Sequence, residues 1–324
     1  MAEEFDRRRS YSEGRLVDLR HDLRHIEAVK SYPNLAIYAA GSYARGEASE
    51  YSDIDLFFIH DDREAASTVD DPRMRTMTMM SGVIDQMEKM ALPPPSNDGE
   101  YLKILSLSKI LEHLGGVEDD HQNFFTARML LILESSPLYG AATYDKALDA
   151  VIDAYFRDYE DHAANFRPTF LVNDVLRFWK TLCLNYENRR NQADEANKIK
   201  QKIRNFKLGY SRLLTCFATV ALLSSYNNIG KEEVVLISKM PPVDRLRRLF
   251  ERNPSTRISI GAALRLYHKF LDRTALPKAD LEEYFKSKEN RTSAFDDAKR
   301  FGDEIYRTLK ITSDATGTLR YLVV

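Results

Sequence analysis

The sequence predicts an α/β (α+β) domain with a short mixed sheet, followed by an all-α domain. Two short apolar runs, Leu35–Ala40 and Ile54–Ile59, are bounded by turn-forming residues, as buried strands are. From Tyr144 onward the chain has helical periodicity and no further strand pattern until its last residues, Thr318–Val324, which are strand-like. We therefore expect two domains, at residues 1–140 and 141–324.

Composition limits the class of protein and its partners. With 44% hydrophobic and 30% charged residues, the chain has the balance of a soluble globular protein. Its net charge of -2 argues against long nucleic acid as a partner, because counterion release requires many clustered cations. The amino terminus lacks an apolar signal segment, and no run approaches eighteen apolar residues. We expect a cytoplasmic protein with no membrane partner.

Helices are predicted around the two strands. Residues 8–30 have apolar side chains at helical spacing, and Pro72 is well placed to begin a second helix. Two more helices are predicted, at Leu102–Leu114 and at Asn123–Ser135. The last of these is apolar nearly all round. Its two charged residues, at positions 128 and 134, are therefore expected to be paired or to reach a cavity, with an ion pair favoured, because an unpaired charge in a core is costly.

Two carboxylates near the start of the second strand predict a metal site. Asp53 and Asp55 are two residues apart, so on a strand both point to the same face. Carboxylates this close repel each other unless a divalent cation lies between them.

The turn after the first strand predicts a phosphate site. Gly41 allows a tight turn and a close approach of the backbone to a ligand, and Ser42 adds a hydroxyl. If residues 43–47 begin a short helix, its positive end faces the same place. A triphosphate carrying Mg²⁺ would fit both halves of the site.

The Gly41-Ser42 turn, ten further residues and then Asp53-Ile54-Asp55-Leu56 resemble the signature of the DNA polymerase beta-like nucleotidyltransferase superfamily. The resemblance implies transfer of a nucleoside monophosphate from NTP to an acceptor hydroxyl, with loss of pyrophosphate. It implies that Gly41 and Ser42 hold the triphosphate. Asp53 and Asp55 would be catalytic residues and ligands of two Mg²⁺ ions, with Mn²⁺ as an alternative.

The same resemblance implies a third catalytic carboxylate on the strand after the Asp-x-Asp strand. The sequence has no apolar-Asp-apolar pattern there. Asp98 is the first candidate and Glu100 the second. The alternative for Asp98 is a plain turn residue, since it precedes Gly99. Asp85 is less suitable because its surroundings look helical.

The predicted helix Asn173–Arg189 contributes two candidate nucleotide-binding cations. Arg177 and Lys180 lie on it beside Trp179, the only tryptophan. They could neutralise the phosphates of a bound nucleotide. Equally, they could be surface cations, with Asp174 as the i,i+3 partner of Arg177.

The acceptor is the least determined part of the prediction. The apolar helix that follows the catalytic half resembles the arrangement in the bacterial uridylyltransferases that modify the PII signalling protein, which implies AMP or UMP transfer to a protein. The alternatives are synthesis of a signalling nucleotide, or modification of a small molecule such as an aminoglycoside or of an RNA end. A catalytically silent nucleotide-binding regulatory protein is the alternative of another class.

Overall fold

The computed structural model describes residues 2–63, 72–93, 103–191 and 197–323. The chain forms two compact units, Phe5–Ala154 and residues 155–323 with residues 2–4. The first contains a mixed sheet with helices and the second is helical, so the predicted fold class is confirmed. The predicted domain division after residue 140 stays a prediction.

The sheet of the first unit has four strands in the order β3-β2-β1-β4. Strand β1 is antiparallel to both of its neighbours, whereas β2 and β3 are parallel. The two predicted strands are β1 and β2. The strands are β1 (Leu35–Ala40), β2 (Asp55–His60), β3 (Ile104–Ser106) and β4 (Ser135–Tyr139).

The described part of this unit also contains helices before, between and after the strands. They are α1 (Ala2–Leu23), α2 (Glu27–Lys30), α3 (Gly41–Ala44), α4 (Pro72–Lys89), α5 (Leu107–Glu112), α6 (Val117–His121), α7 (Phe124–Leu133) and α8 (Ala141–Asp153). Apolar residues of α1 and α4 form one core with Leu56 and Phe58 of β2. On the other face, Tyr38 stacks on Phe57 at 5.5 Å and contacts Tyr144 of α8.

Three predicted helix boundaries in the first unit are wrong. The helix expected at residues 8–30 is divided into α1 and α2. The helix expected at 102–114 begins only at Leu107, because residues 104–106 pair with β2. The helix expected at 123–135 ends at Leu133, and Ser135 begins β4. Short apolar runs suit either structure, and pairing with a neighbouring strand decides between them.

Helices make up the second unit. They are α9 (Tyr159–His162), α10 (Thr169–Asn191), α11 (Lys198–Lys207), α12 (Leu213–Leu223), α13 (Lys231–Ser238), α14 (Pro242–Arg252), α15 (Arg257–Thr274), α16 (Lys278–Lys286), α17 (Lys288–Thr316) and α18 (Leu319–Val323). The strand expected at the end of the chain is wrong, because α18 packs against α10 and α17 as a helix. Stacked aromatic rings fill the core, with Tyr210 at 4.8 Å from both Phe270 and Phe301.

One stretch of the second unit, Lys198–Leu223, is long and apolar enough to cross a membrane by length and composition alone. Its most apolar window is 67% buried inside the protein, as in the core helix of a soluble protein. Length and composition are therefore only weak evidence that this stretch spans a membrane. The absence of a membrane partner stays a prediction.

The two charged residues of the apolar helix are both paired, as predicted, although not with each other. Arg128 donates two hydrogen bonds of 2.7 Å to Asp119 of α6, and both side chains are fully buried. Glu134 pairs with Arg45. Each pair satisfies charge that would otherwise be costly to bury.

Gly140, between β4 and α8, has a close backbone contact that predicts the effect of a substitution. Its φ is +65°, and a Cβ would lie 1.9 Å from the carbonyl oxygen of Leu35. Backbone cannot move aside cheaply, so we expect Gly140→Ala to lower the free energy of unfolding by about 3 kcal/mol in urea denaturation. Gly115→Ala is the control, since Gly115 has a φ of +78° and open space, and should cost about 1 kcal/mol. Equal losses would contradict the steric argument.

Asp62 joins the end of β2 to the start of α5. It accepts hydrogen bonds from Ser106 Oγ at 2.5 Å and from the backbone N–H and Oγ of Ser108 at 2.9 and 2.8 Å. Burial alone raises the pKa of Asp62, but these hydrogen bonds outweigh it and hold the pKa below its ordinary value. The carboxylate therefore stabilises the fold when it is ionised.

This depressed pKa predicts a pH dependence. At pH 7, Asp62→Asn should lower the free energy of unfolding by about 2 kcal/mol, because several hydrogen bonds are lost or weakened. The difference from the wild type should persist above the unfolded pKa of about 3.9 and shrink as the pH falls through the folded pKa. Urea denaturation between pH 7 and pH 3 measures it. Asp18→Asn, on the exposed side of α1, is the control and should show no such trend.

Candidate active site

The turn after β1 and the start of β2 lie side by side. Ala40 is the Cα partner of Asp55 in the antiparallel pair, so the chain leaves β1 directly beside this carboxylate. Gly41 has a φ of +72°, and a Cβ there would lie 3.2 Å from Asp55 Oδ2. The backbone of the predicted phosphate turn is thus close to the predicted metal ligand, as both predictions require.

The short helix begins earlier than predicted. It starts at Gly41 rather than Tyr43 and ends at Ala44. The N–H of Arg45 donates to Gly41 O at 3.0 Å, and the N–H of Glu47 donates to Ser42 O at 2.8 Å. Gly41 and Ser42 are therefore themselves the first residues of the helical turn.

Asp53 and Asp55 flank a buried residue. Ile54 is part of the core that α1 and α4 make with the sheet. Asp53 lies just before β2 and is exposed, and Asp55 is the first residue of β2 and is half-buried. Since alternate residues point to opposite sides of an extended chain, both carboxylates turn away from the core that holds Ile54.

The chemistry of these donors fits a hard divalent cation. Carboxylate oxygens are preferred ligands of Mg²⁺, which usually keeps several waters and takes substrate phosphate oxygens as further ligands. Among the described residues, no group of three His, Cys, Asp or Glu side chains could hold a metal ion. Strand β3, Ile104-Leu105-Ser106, also has no carboxylate. Asp98 and Glu100, the candidates for the third carboxylate, lie outside the described residues.

The two predicted nucleotide-binding cations lie on α10 of the helical unit. Arg177 Nη1 is 3.7 Å from Asp174 Oδ1, and Asp174 also accepts a hydrogen bond of 2.6 Å from Tyr155. Arg177 therefore has the i,i+3 partner that is expected if it is a surface cation. Lys180 is exposed. A role for either cation at the nucleotide stays a prediction.

Sequence reasoning missed a cluster of buried charges beside the turn. Arg45 and Glu47 lie between Ser42 and Asp53, and both are buried together with Glu134. The one available signal was Glu134, a charge in an otherwise apolar stretch, which predicted a partner without identifying it.

The closeness of the Gly41 backbone to the Asp55 carboxylate predicts an effect on cation binding. In Gly41→Ala, the new Cβ would displace the Asp55 carboxylate by a few tenths of an ångström and strain the positive φ. We expect Mn²⁺ affinity, measured by titration calorimetry, to fall roughly tenfold. Gly115→Ala has the same kind of strain in open space and should bind Mn²⁺ as the wild type does. An unchanged affinity in Gly41→Ala would show that Asp55 does not hold the cation.

Comparison with known protein families gives a match over the part of the chain that contains the turn and both aspartates. Residues 23–132 match the family model described as a nucleotidyltransferase domain. The match covers about a third of the chain, from the end of α1 to α7, and includes the Gly-Ser turn and both aspartates. It confirms the predicted superfamily. A search of curated proteins found no match to the chain.

Proposed function

We propose, from the premise that residues 23–132 form a nucleotidyltransferase domain, that this protein transfers a nucleoside monophosphate from Mg²⁺-bound NTP to an acceptor hydroxyl. Nucleotidyltransferase domains generally use NTP and divalent metal ions. The observation that carries the proposal is the pairing of Ala40 with Asp55, which brings the predicted phosphate turn at Gly41 beside a candidate metal ligand, so that a Cβ on Gly41 would lie 3.2 Å from Asp55 Oδ2.

Each residue has one part in the reaction. The Gly41-Ser42 backbone and the Ser42 hydroxyl orient the triphosphate, and Asp53 and Asp55 hold the cations. Bound Mg²⁺ would neutralise the charge that develops on the transferred phosphoryl group. The acceptor oxygen forms a bond to the α-phosphorus as the bond to the β-phosphate oxygen breaks, and pyrophosphate leaves. The hydroxyl proton passes to a base, for which Asp98 is our first candidate and Glu100 the second.

A protein is the acceptor that we propose, with AMP or UMP as the transferred group. The support is the resemblance of the chain to uridylyltransferases that modify the PII protein, together with the helical second unit. We also propose a cytoplasmic location. The support is that both cysteines are free thiols, as is usual in a reducing compartment.

One observation favours a second candidate, a silent nucleotide-binding regulatory protein. The sequence after the Asp-x-Asp strand has no apolar-Asp-apolar pattern that would mark the third carboxylate. Such a protein would bind NTP without releasing pyrophosphate. The same chemistry with a small-molecule, nucleotide or RNA acceptor would instead give a labelled product that is not a protein.

Asp53→Asn tests the proposal. Loss of one cation ligand should reduce NMP transfer at least a thousandfold, roughly 4 kcal/mol of transition-state stabilisation. Because Asp53 is exposed, the free energy of unfolding should change by less than about 0.5 kcal/mol. The assay incubates the protein with each α-labelled NTP and Mg²⁺, alone and in cell lysate, and separates products on gels and thin-layer plates.

The control is Glu50→Gln, which removes an exposed charge three residues away and should keep the wild-type rate. Transfer by Asp53→Asn at the wild-type rate would refute the proposed site. Label on a protein band would support the proposed acceptor, and label in a small product or RNA would replace it. NTP binding by the wild type without transfer would favour the silent protein.

A further inference from the structure

A buried ion network holds the loop between the Gly-Ser turn and Asp53. Arg45 Nε donates to Glu47 Oε2 at 2.8 Å, and Arg45 Nη1 donates to Glu134 Oε2. The side chain of Arg45 is 7% exposed and that of Glu134 is fully buried. One guanidinium thus joins the loop to the residue that precedes β4.

Helix α1 holds the same loop from another side. Arg8 Nη1 donates to Glu47 O at 2.9 Å, and the N–H of Ala48 donates to Ser12 Oγ at 2.9 Å. Four residues further on, the N–H of Ser52 donates to Ser49 O at 2.9 Å, which closes a turn directly before Asp53. The short segment between Glu47 and Asp53 is therefore held by several hydrogen bonds.

The network is costly as a device for stability alone. Replacing a buried ion pair by apolar residues of similar size often leaves a protein equally stable or makes it more stable. Here Arg45 pairs with two carboxylates, those of Glu47 and Glu134, and Glu47 Oε1 is buried with no hydrogen-bond partner in the described part of the chain. Stability alone therefore does not explain why these charges are buried here.

The location of the network supplies another reason. Ser135, the residue after Glu134, is the Cα partner of Ala40, and Ala40 is the partner of Asp55 across the next strand. Glu134 therefore directly precedes a residue that lies in line with Asp55 across the sheet. Its partner Arg45 belongs to the loop that leads to Asp53. The Arg45–Glu134 ion pair thus connects the loop that carries Asp53 to the sheet that carries Asp55.

We propose that Arg45, through its pair with Glu134, is a positioning residue that holds Asp53 in register with Asp55 for divalent-cation binding. The proposal rests on the proposed function for the identity of the site. Arg45 itself need not contact the cation or the nucleotide.

The test compares two buried arginines of the same unit. Arg45→Met and Arg128→Met each remove a guanidinium from a buried carboxylate partner, and both should lower Tm. We expect Arg45→Met to weaken Mn²⁺ binding at least tenfold in titrations well below its Tm, as loss of a ligand-orienting partner does. Arg128→Met should keep the wild-type Kd for Mn²⁺ within twofold.

Two milder variants serve if Arg45→Met does not fold. Glu134→Gln retains a hydrogen-bond acceptor but loses the charge pair, and Arg45→Lys retains the charge but loses the fork of donors. Each should show an intermediate loss of Mn²⁺ affinity. Wild-type affinity in all the folded Arg45 and Glu134 variants would overturn the proposal, as would an equal loss in Arg128→Met.

The Mn²⁺ readout also separates this proposal from the proposed function. A wild type that binds Mn²⁺ with no NMP transfer would count against the enzyme but would leave the Arg45 comparison decisive. A wild type that does not bind Mn²⁺ at all would overturn both.

Discussion

The antiparallel pairing of β1 with β2 is the constraint on which the candidate site depends. Because Ala40 pairs with Asp55, the point where the chain leaves one strand and the point where it enters the next lie at the same edge of the sheet. The loop between them must therefore close over a short distance. Gly41 makes this closure achievable, since its positive φ and missing Cβ allow the backbone to pass beside the Asp55 carboxylate.

The loop itself carries the first aspartate, so its conformation matters as much as the strand pairing. A loop of a dozen residues has many conformations available, and fixing each residue costs roughly 1–2 kcal/mol of backbone entropy. Buried hydrogen bonds from Arg8 and Ser12 of α1, and from Arg45 to Glu134 just before β4, oppose that cost. These contacts bury Arg45, Glu47 and Ala48, whereas Glu50, Tyr51 and Asp53 further along the loop are exposed.

The helical unit has its own source of stability, independent of the sheet. Its core is a cluster of aromatic rings centred on Tyr210, which lies in a π-helical segment, Leu208–Arg212, between α11 and α12. Fully buried Arg245 donates to Thr219 and to carbonyl oxygens at the end of α13, and so joins α12, α13 and α14.

Local sequence determined the two central strands, the glycine turn and the spacing of Asp53 and Asp55, because each depends on residues within a few positions of one another. The match to the nucleotidyltransferase family model confirms the superfamily that this local pattern predicted. Tertiary structure decided the rest. Strands β3 and β4 form because residues 104–106 and 135–139 pair with distant strands. Neither segment has a local strand pattern, since Ile104-Leu105-Ser106 is too short to distinguish a strand from a helix and Ser135–Tyr139 is not an apolar run. The partner of Glu134 was likewise decided by the fold, since Arg45 is 89 residues away along the chain and only sheet pairing brings the two together.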